Sequence, residues 1–153
     1  MANRLVLAIS GLALLAALTA CSGGGALTKD DPTVRKLVAE LPAPFNTGDP
    51  VAGRAKFEQC RTCHTVVKDG ANMTGPNLYG VFGRAAAAKA DYSYSGVLKS
   101  SGLTWDAATL DKWIADPRGL VNGTKMSFMG YKDETDRRDV IAYLKVATSG
   151  GPT

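Results

Sequence analysis

Five residues, Cys60-Arg61-Thr62-Cys63-His64, constrain this chain more than any other feature. The spacing C-x-x-C-H is the attachment signal for a c-type haem. Its two thiols add across the porphyrin vinyl groups, so the cofactor becomes covalent. The adjacent imidazole then falls under the iron as an axial ligand. A chain stapled in this way has to fold around a flat cofactor. His64 is the only histidine in the sequence, so no other imidazole competes for that role. Two other chemistries use a C-x-x-C pair. A thioredoxin-like redox site needs a βαβ context, and no β-rich pattern surrounds residues 60–63. A zinc site usually needs four Cys or His ligands, and only His64 and Cys21 remain to complete one.

The N-terminal stretch reads as a targeting segment. Arg4 supplies a short positive region, and Leu5 to Leu18 is apolar apart from Ser10 and Gly11. This is too short and too lightly flanked for a membrane span and fits a cleaved signal peptide over residues 1–20. Leu18-Thr19-Ala20-Cys21 resembles a bacterial lipobox, in which the cysteine is lipidated and becomes the new N-terminus. An ordinary signal peptide cut near Ala20 and an uncleaved signal anchor are the alternatives. Lipidation is favoured because Cys21 is otherwise an odd cysteine in an exported protein. The expected location is the periplasmic side of a membrane, held by Cys21, with a soluble periplasmic protein as the alternative. Cleavage removes Arg4 alone among charged residues, so the net charge falls only from +4 to +3. No Lys/Arg run reaches five, and nothing in the charge pattern points to nucleic acid.

The mature length suits a single domain. Residues 21–48 are expected to form an extension or tether, and residues 49–149 the globular part. Within the extension Val34, Leu37, Val38 and Leu41 recur at helical spacing. They predict a short amphipathic helix, docked on the domain or lying on lipid. Treated as a coil, a tether of about 27 residues spans roughly 30 Å, and fully extended about 90 Å. Asp49-Pro50 opens a helix as N-cap and first-turn proline, running to Cys60 or Cys63. A turn-rich stretch from Val66 to Ser101 carries Gly70, Gly75-Pro76, Gly80, Gly83 and Gly96. Helices are expected over Asp106 to Asp116, ended by Pro117, and over Glu134 to Thr148. Strand signals are weak and there is no internal repeat. The class is all-α.

A low-spin haem iron wants a sixth ligand, and a thioether is soft and favours iron(II). The methionines are Met1, Met73, Met126 and Met129, and Met1 leaves with the signal. Beyond the haem signal, the chain carries Thr74-Gly75-Pro76-Asn77-Leu78-Tyr79-Gly80-Val81-Phe82-Gly83-Arg84. It also carries Gly102-Leu103-Thr104-Trp105, Gly123-Thr124-Lys125-Met126 and Asp139-Val140-Ile141-Ala142-Tyr143-Leu144-Lys145. Across residues 49–148 it resembles a class I cytochrome c of the mitochondrial and bacterial small-carrier type.

The resemblance implies one covalent haem c held through Cys60 and Cys63, with His64 and Met126 as axial ligands. Met129 would lie beyond the ligand, and Met73 would serve packing. Pro76 matches the proline whose carbonyl accepts the second ring N–H of the histidine. Arg84, Tyr94 and Trp105, with Tyr92 as a weaker member, match residues that satisfy the haem propionates, and Thr124 matches a propionate and loop-bracing residue. Gly53 and Phe57 would cross the Val140/Tyr143 face. Three departures stand out. Trp113 replaces a tyrosine, Asn122 a proline and Leu98 an asparagine. The family's lysine ring is thinned to Lys125 and Lys132, with Arg118 substituting for another member. The implied function is single-electron transfer, not enzyme turnover, by a monomer working between a bc1-type donor and an oxidase-type acceptor. A small haem peroxidase or ligand-binding sensor is the alternative, and it requires a labile Met126.

Overall fold

The computed structural model describes residues 26–153, so the signal-like segment and Cys21 lie outside the described residues. Among the described residues the regular structure is helical, with one isolated β-bridge between Ala85 and Thr104. The helices are α1 Pro32–Ala39, α2 Pro50–Arg61, α3 Gly96–Lys99, α4 Ala107–Ala115, α5 Pro117–Leu120 and α6 Glu134–Thr148.

Each of the longer helices starts on an aspartate. Asp31, Asp49, Asp106 and Asp133 accept backbone N–H bonds from the first turns of α1, α2, α4 and α6. These caps satisfy donors that the helix itself leaves orphaned. Pro32 and Pro50 follow their caps, where a missing N–H costs nothing.

The most extensive helix pairing is α2 against α6. Its closeness has one cause: a Cβ on Gly53 would sit 1.9 Å from the Asp139 carbonyl oxygen. Only a glycine lets the two backbones meet there. Phe57 and Tyr143 then pack with ring centroids 5.2 Å apart, and Val140 and Ile141 are fully buried. Burying side chains of this size stabilises by about 1.5–3 kcal/mol each. The Asp139 carboxylate accepts the Asp49 N–H at 2.8 Å, tying the start of α2 to the middle of α6.

The structure adds detail to two sequence expectations. Pro117 does end α4, but it also opens α5, with Asp116 accepting from the Gly119 N–H. The helix expected within residues 26–48 forms and docks on the domain, so the coil span does not apply to them. Leu27, Val34, Val38 and Leu41 are buried in the common core, α1 packs on α6, and Glu40 pairs with Lys145 at 2.9 Å. The apolar stripe of α1 finds its partner on the domain, which explains why the extension docks. The short helix α3 was also unforeseen; Ser95 caps it within the turn-rich stretch.

Candidate haem site

The C-terminal end of α2 delivers Cys60, and the turn that follows delivers Cys63 and His64. The Cys63 and His64 N–H groups both return to the Cys60 carbonyl, at 3.0 and 2.9 Å, which holds the three side chains in a tight loop. All three line one large cleft, together with Pro76, Arg84, Tyr94, Trp105, Thr124 and Met126. Every site residue expected within the described part therefore meets in one place. Apolar side chains, among them Phe57, Leu78, Val81, Leu98 and Phe128, form much of the remaining wall.

The His64 ring is fixed from two sides. Its Nδ1 lies 2.7 Å from the Pro76 carbonyl oxygen. A carbonyl only accepts, so Nδ1 carries the hydrogen and Nε2 keeps its lone pair. No other hydrogen bond to the ring occurs among the described residues. Gly75 lies flat against the imidazole: a Cβ there would fall 2.3 Å from Cε1. Burial lowers the His64 pKa against the opposing effect of the Pro76 bond, which favours the neutral ring. A neutral imidazole with an oriented N–H on one side and a free lone pair on the other is what an axial ligand requires.

Burial pushes the Cys60 thiol up to about 11, with the neighbouring Cys63 adding to the effect. Nothing completes a zinc set around the pair: among the described residues, no group of three or more His, Cys, Asp or Glu is placed to hold a metal ion. An apolar cleft bordered by two thiols, one oriented imidazole and a thioether fits haem c.

The Met126 loop is braced at both ends. The Met126 N–H donates to Thr124 Oγ1 at 3.3 Å, and Thr124 N–H to the Val121 carbonyl at 3.1 Å. On the far side Gly130 adopts φ +87°, and a Cβ there would strike the Ala115 carbonyl oxygen at 2.0 Å. Tyr131 N–H bonds Ile114 O, and Tyr131 O–H donates to the Lys56 carbonyl at 2.7 Å. Met129 stands 84 % exposed, away from any ligand position. Met73 is 48 % exposed, so the packing role expected for it is corrected.

Arg84 donates to the Tyr79 carbonyl at 2.9 Å. Its guanidinium is close enough to Tyr94 to oppose the rise that burial imposes on that phenol. Tyr92 donates to the Thr74 carbonyl and meets Tyr94 edge-on. Trp105 meets Trp113 edge-on at 5.2 Å, both lining the cleft, and Leu98 is buried beside them. Lys125 donates to the Ser93 carbonyl and Lys132 to that of Ala115.

Two important residues escaped sequence reasoning. Asn77, 3 % exposed, donates to Thr65 Oγ1 and the Val67 carbonyl and accepts from Tyr79 N–H, which fixes the loop that carries Pro76. Arg137, 8 % exposed, pairs with Asp111 at 2.7 Å and donates to the Tyr131 and Lys132 carbonyls, which anchors the end of the Met126 loop. A charged residue inside the apolar stripe of α6 was the only signal for it.

The sequence model of the family described as Cytochrome c matches residues 50–148. The chain belongs to the cytochrome c family. It is 46% identical over 100 residues to cytochrome c2 of Rhodomicrobium vannielii, covering 65% of this chain and 80% of that protein. It is 44% identical over 93 residues to cytochrome c-550 of Bradyrhizobium diazoefficiens, covering 61% and 68% of the two chains. Among solved structures, cytochrome cH from Methylobacterium extorquens superimposes with TM-score 0.60 at 49% identity, covering 64% of this chain and 98% of that one. The fold is that of a class I cytochrome c, the cofactor is covalent haem c, and the function is haem-based electron transfer.

Proposed function

We propose that this cytochrome c is a single-electron carrier whose iron is held by His64 and Met126, and that it works between a bc1-type donor and an oxidase-type acceptor. The observation that carries the reading is the convergence of Cys60, Cys63, His64 and Met126 on one cleft. Haem c, when bound, supplies the iron(III)/iron(II) couple. The chain supplies orientation and exclusion of water. The Pro76 carbonyl holds the imidazole tautomer. The braced loop presents the Met126 thioether, a ligand that raises the potential. Arg84, Tyr94, Trp105 and Thr124 are assigned to the propionate side, where buried carboxylates need donors. Two protein ligands leave no coordination site for a substrate, which argues for a carrier and against an enzyme.

The alternative peroxidase or sensor requires Met126 to leave readily. Asn122, exposed where the family has proline, is its only support, and the bracing by Thr124 and Arg137 works against it. Export and lipidation at Cys21 belong to the same proposal. The monomeric, periplasm-facing carrier is then held to its membrane by that residue.

The test is carbon monoxide binding to the reduced holoprotein. Wild type should bind weakly, and Met126→Ala should bind tightly with a clear spectral change. Equal, ready binding by both would remove the carrier argument.

A further inference from the structure

Beyond Met126 the ligand loop runs through Ser127, Phe128, Met129 and Gly130. None of the hydrogen bonds among the described residues involves these four. The first firm tie after the ligand is Tyr131, five residues on. Each of its polar groups is engaged, and each with a different helix. The N–H donates to the Ile114 carbonyl of α4 at 2.9 Å. The carbonyl accepts from Arg137 Nη1 of α6 at 3.1 Å, and Asp111 holds that guanidinium at 2.7 Å. The hydroxyl donates to the Lys56 carbonyl of α2 at 2.7 Å. Lys56 lies one turn before Cys60, and its ammonium pairs with Asp136 of α6. The Tyr131 ring stands edge-on to Phe128, with centroids 5.4 Å apart. Phe128 lines the haem cleft, whereas Tyr131 is half-buried behind it.

We propose that Tyr131 is a positioning residue, a strut from the Cys60 helix to the Met126 loop that sets how readily the thioether leaves the iron. Its two ends belong to the two sides of the cleft. The end of α2 and the turn after it deliver Cys60, Cys63 and His64, and the loop delivers Met126. The Thr124 brace is local: it lies two residues from Met126 and moves with it. The Tyr131 hydroxyl instead fastens the loop to an independent element. Its ring also backs Phe128, the wall residue nearest the ligand in sequence. A phenylalanine at 131 would keep that ring and lose only the bond to Lys56. The loss of an ordinary neutral hydrogen bond changes an equilibrium about fivefold. The effect at the iron rests on the His64/Met126 ligation proposed above, whereas the strut itself does not.

The experiment compares oxidised holoproteins of wild type, Y131F and T148V by stopped-flow binding of imidazole. At saturating imidazole the rate is limited by departure of Met126. Y131F should keep the far-red band at rest and raise that limiting rate about fivefold. T148V is the control. It removes a buried hydroxyl bond to the Leu144 carbonyl within α6, at a residue that does not line the cleft. It should lower denaturant stability and leave the limiting rate unchanged. An unchanged rate in Y131F, or equal acceleration in T148V, overturns the role at the iron. Amide hydrogen exchange on the reduced holoproteins reads the loop without reference to ligation. Y131F should speed exchange of the Tyr131 N–H about fivefold, with the buried amides of α6 unaffected. Unchanged exchange overturns the strut, whatever ligates the iron. Faster exchange in a protein that lacks the far-red band upholds the strut and overturns Met126 ligation instead.

Discussion

At the scale of single residues, the haem signal was legible because its chemistry is local. Five consecutive residues carry both thioether positions and the imidazole. Pro76, Arg84, Tyr94, Trp105, Thr124 and Met126 came from the resemblance, and all of them line the cleft. What the sequence concealed was support by backbone carbonyls. Asn77 and Arg137 act on carbonyls that only the folded loops bring together, and no spacing rule announces such a meeting. Met73 was misread for a related reason: an apolar residue in a loop has no periodicity to say whether it packs. Gly75 offers the sharpest residue-scale prediction. A methyl at its α-carbon would overlap the His64 ring, with 2.3 Å to Cε1 and 2.7 Å to Nδ1. Gly75→Ala should therefore displace the imidazole from the Pro76 carbonyl and destabilise the holoprotein by about 1–3 kcal/mol, the usual cost of overpacking. Denaturant melts and the midpoint potential check this, and an unchanged variant would mean the ring is not held where it is described.

At the scale of elements, α2, α4 and α6 were readable from aspartate caps and apolar periodicity, and their observed ends fall within a residue or two of expectation. The short helices α3 and α5 were not, because four residues are too few to show a period. The helix of the extension was expected, but its neighbour was open: an amphipathic stripe fits lipid or protein equally well, and only the matching surface on α6 decides. The caps make a prediction about acid. Backbone N–H bonds from Asp136 and Thr135 hold the Asp133 carboxyl below its usual range, and those from Thr109 do the same for Asp106. A depressed folded pKa contributes stability that is fully present above the unfolded value, about 3.9, and is lost as pH falls through the folded one. The melting temperature of the holoprotein should hold down to about pH 4 through these groups and fall below it. Asp106→Asn with Asp133→Asn keeps side-chain acceptors but removes the charge, so its acid slope should be shallower. Identical slopes in circular-dichroism melts would sink this account.

At the scale of the whole molecule, the docked extension changes what a lipid anchor at Cys21 would do. A coil from residue 21 to 48 would let the domain swing widely. With residues 26–48 seated on the domain, an anchor at Cys21 would be joined to it through residues 21–25, which lie outside the described residues and whose greatest contour is about 18 Å. A carrier so anchored would stay close to one membrane and exchange partners by turning. Cys21→Ser should release it from the membrane fraction, and retention there would favour an uncleaved anchor. Such an anchor would fit the thinned lysine ring expected from the sequence. Lys125 and Lys132 are each engaged with a carbonyl, and a carrier kept near its partners depends less on electrostatic steering. All of this presupposes an electron-transfer haem with both axial positions filled. The most direct measurement is the absorption spectrum of the purified holoprotein, oxidised and then reduced, extended into the far red. A low-spin reduced spectrum with the weak sulfur-to-iron(III) band in the oxidised protein is the result expected for His64/Met126 ligation. A high-spin spectrum, or a missing far-red band, would show that Met126 is not bound and would contradict the carrier mechanism.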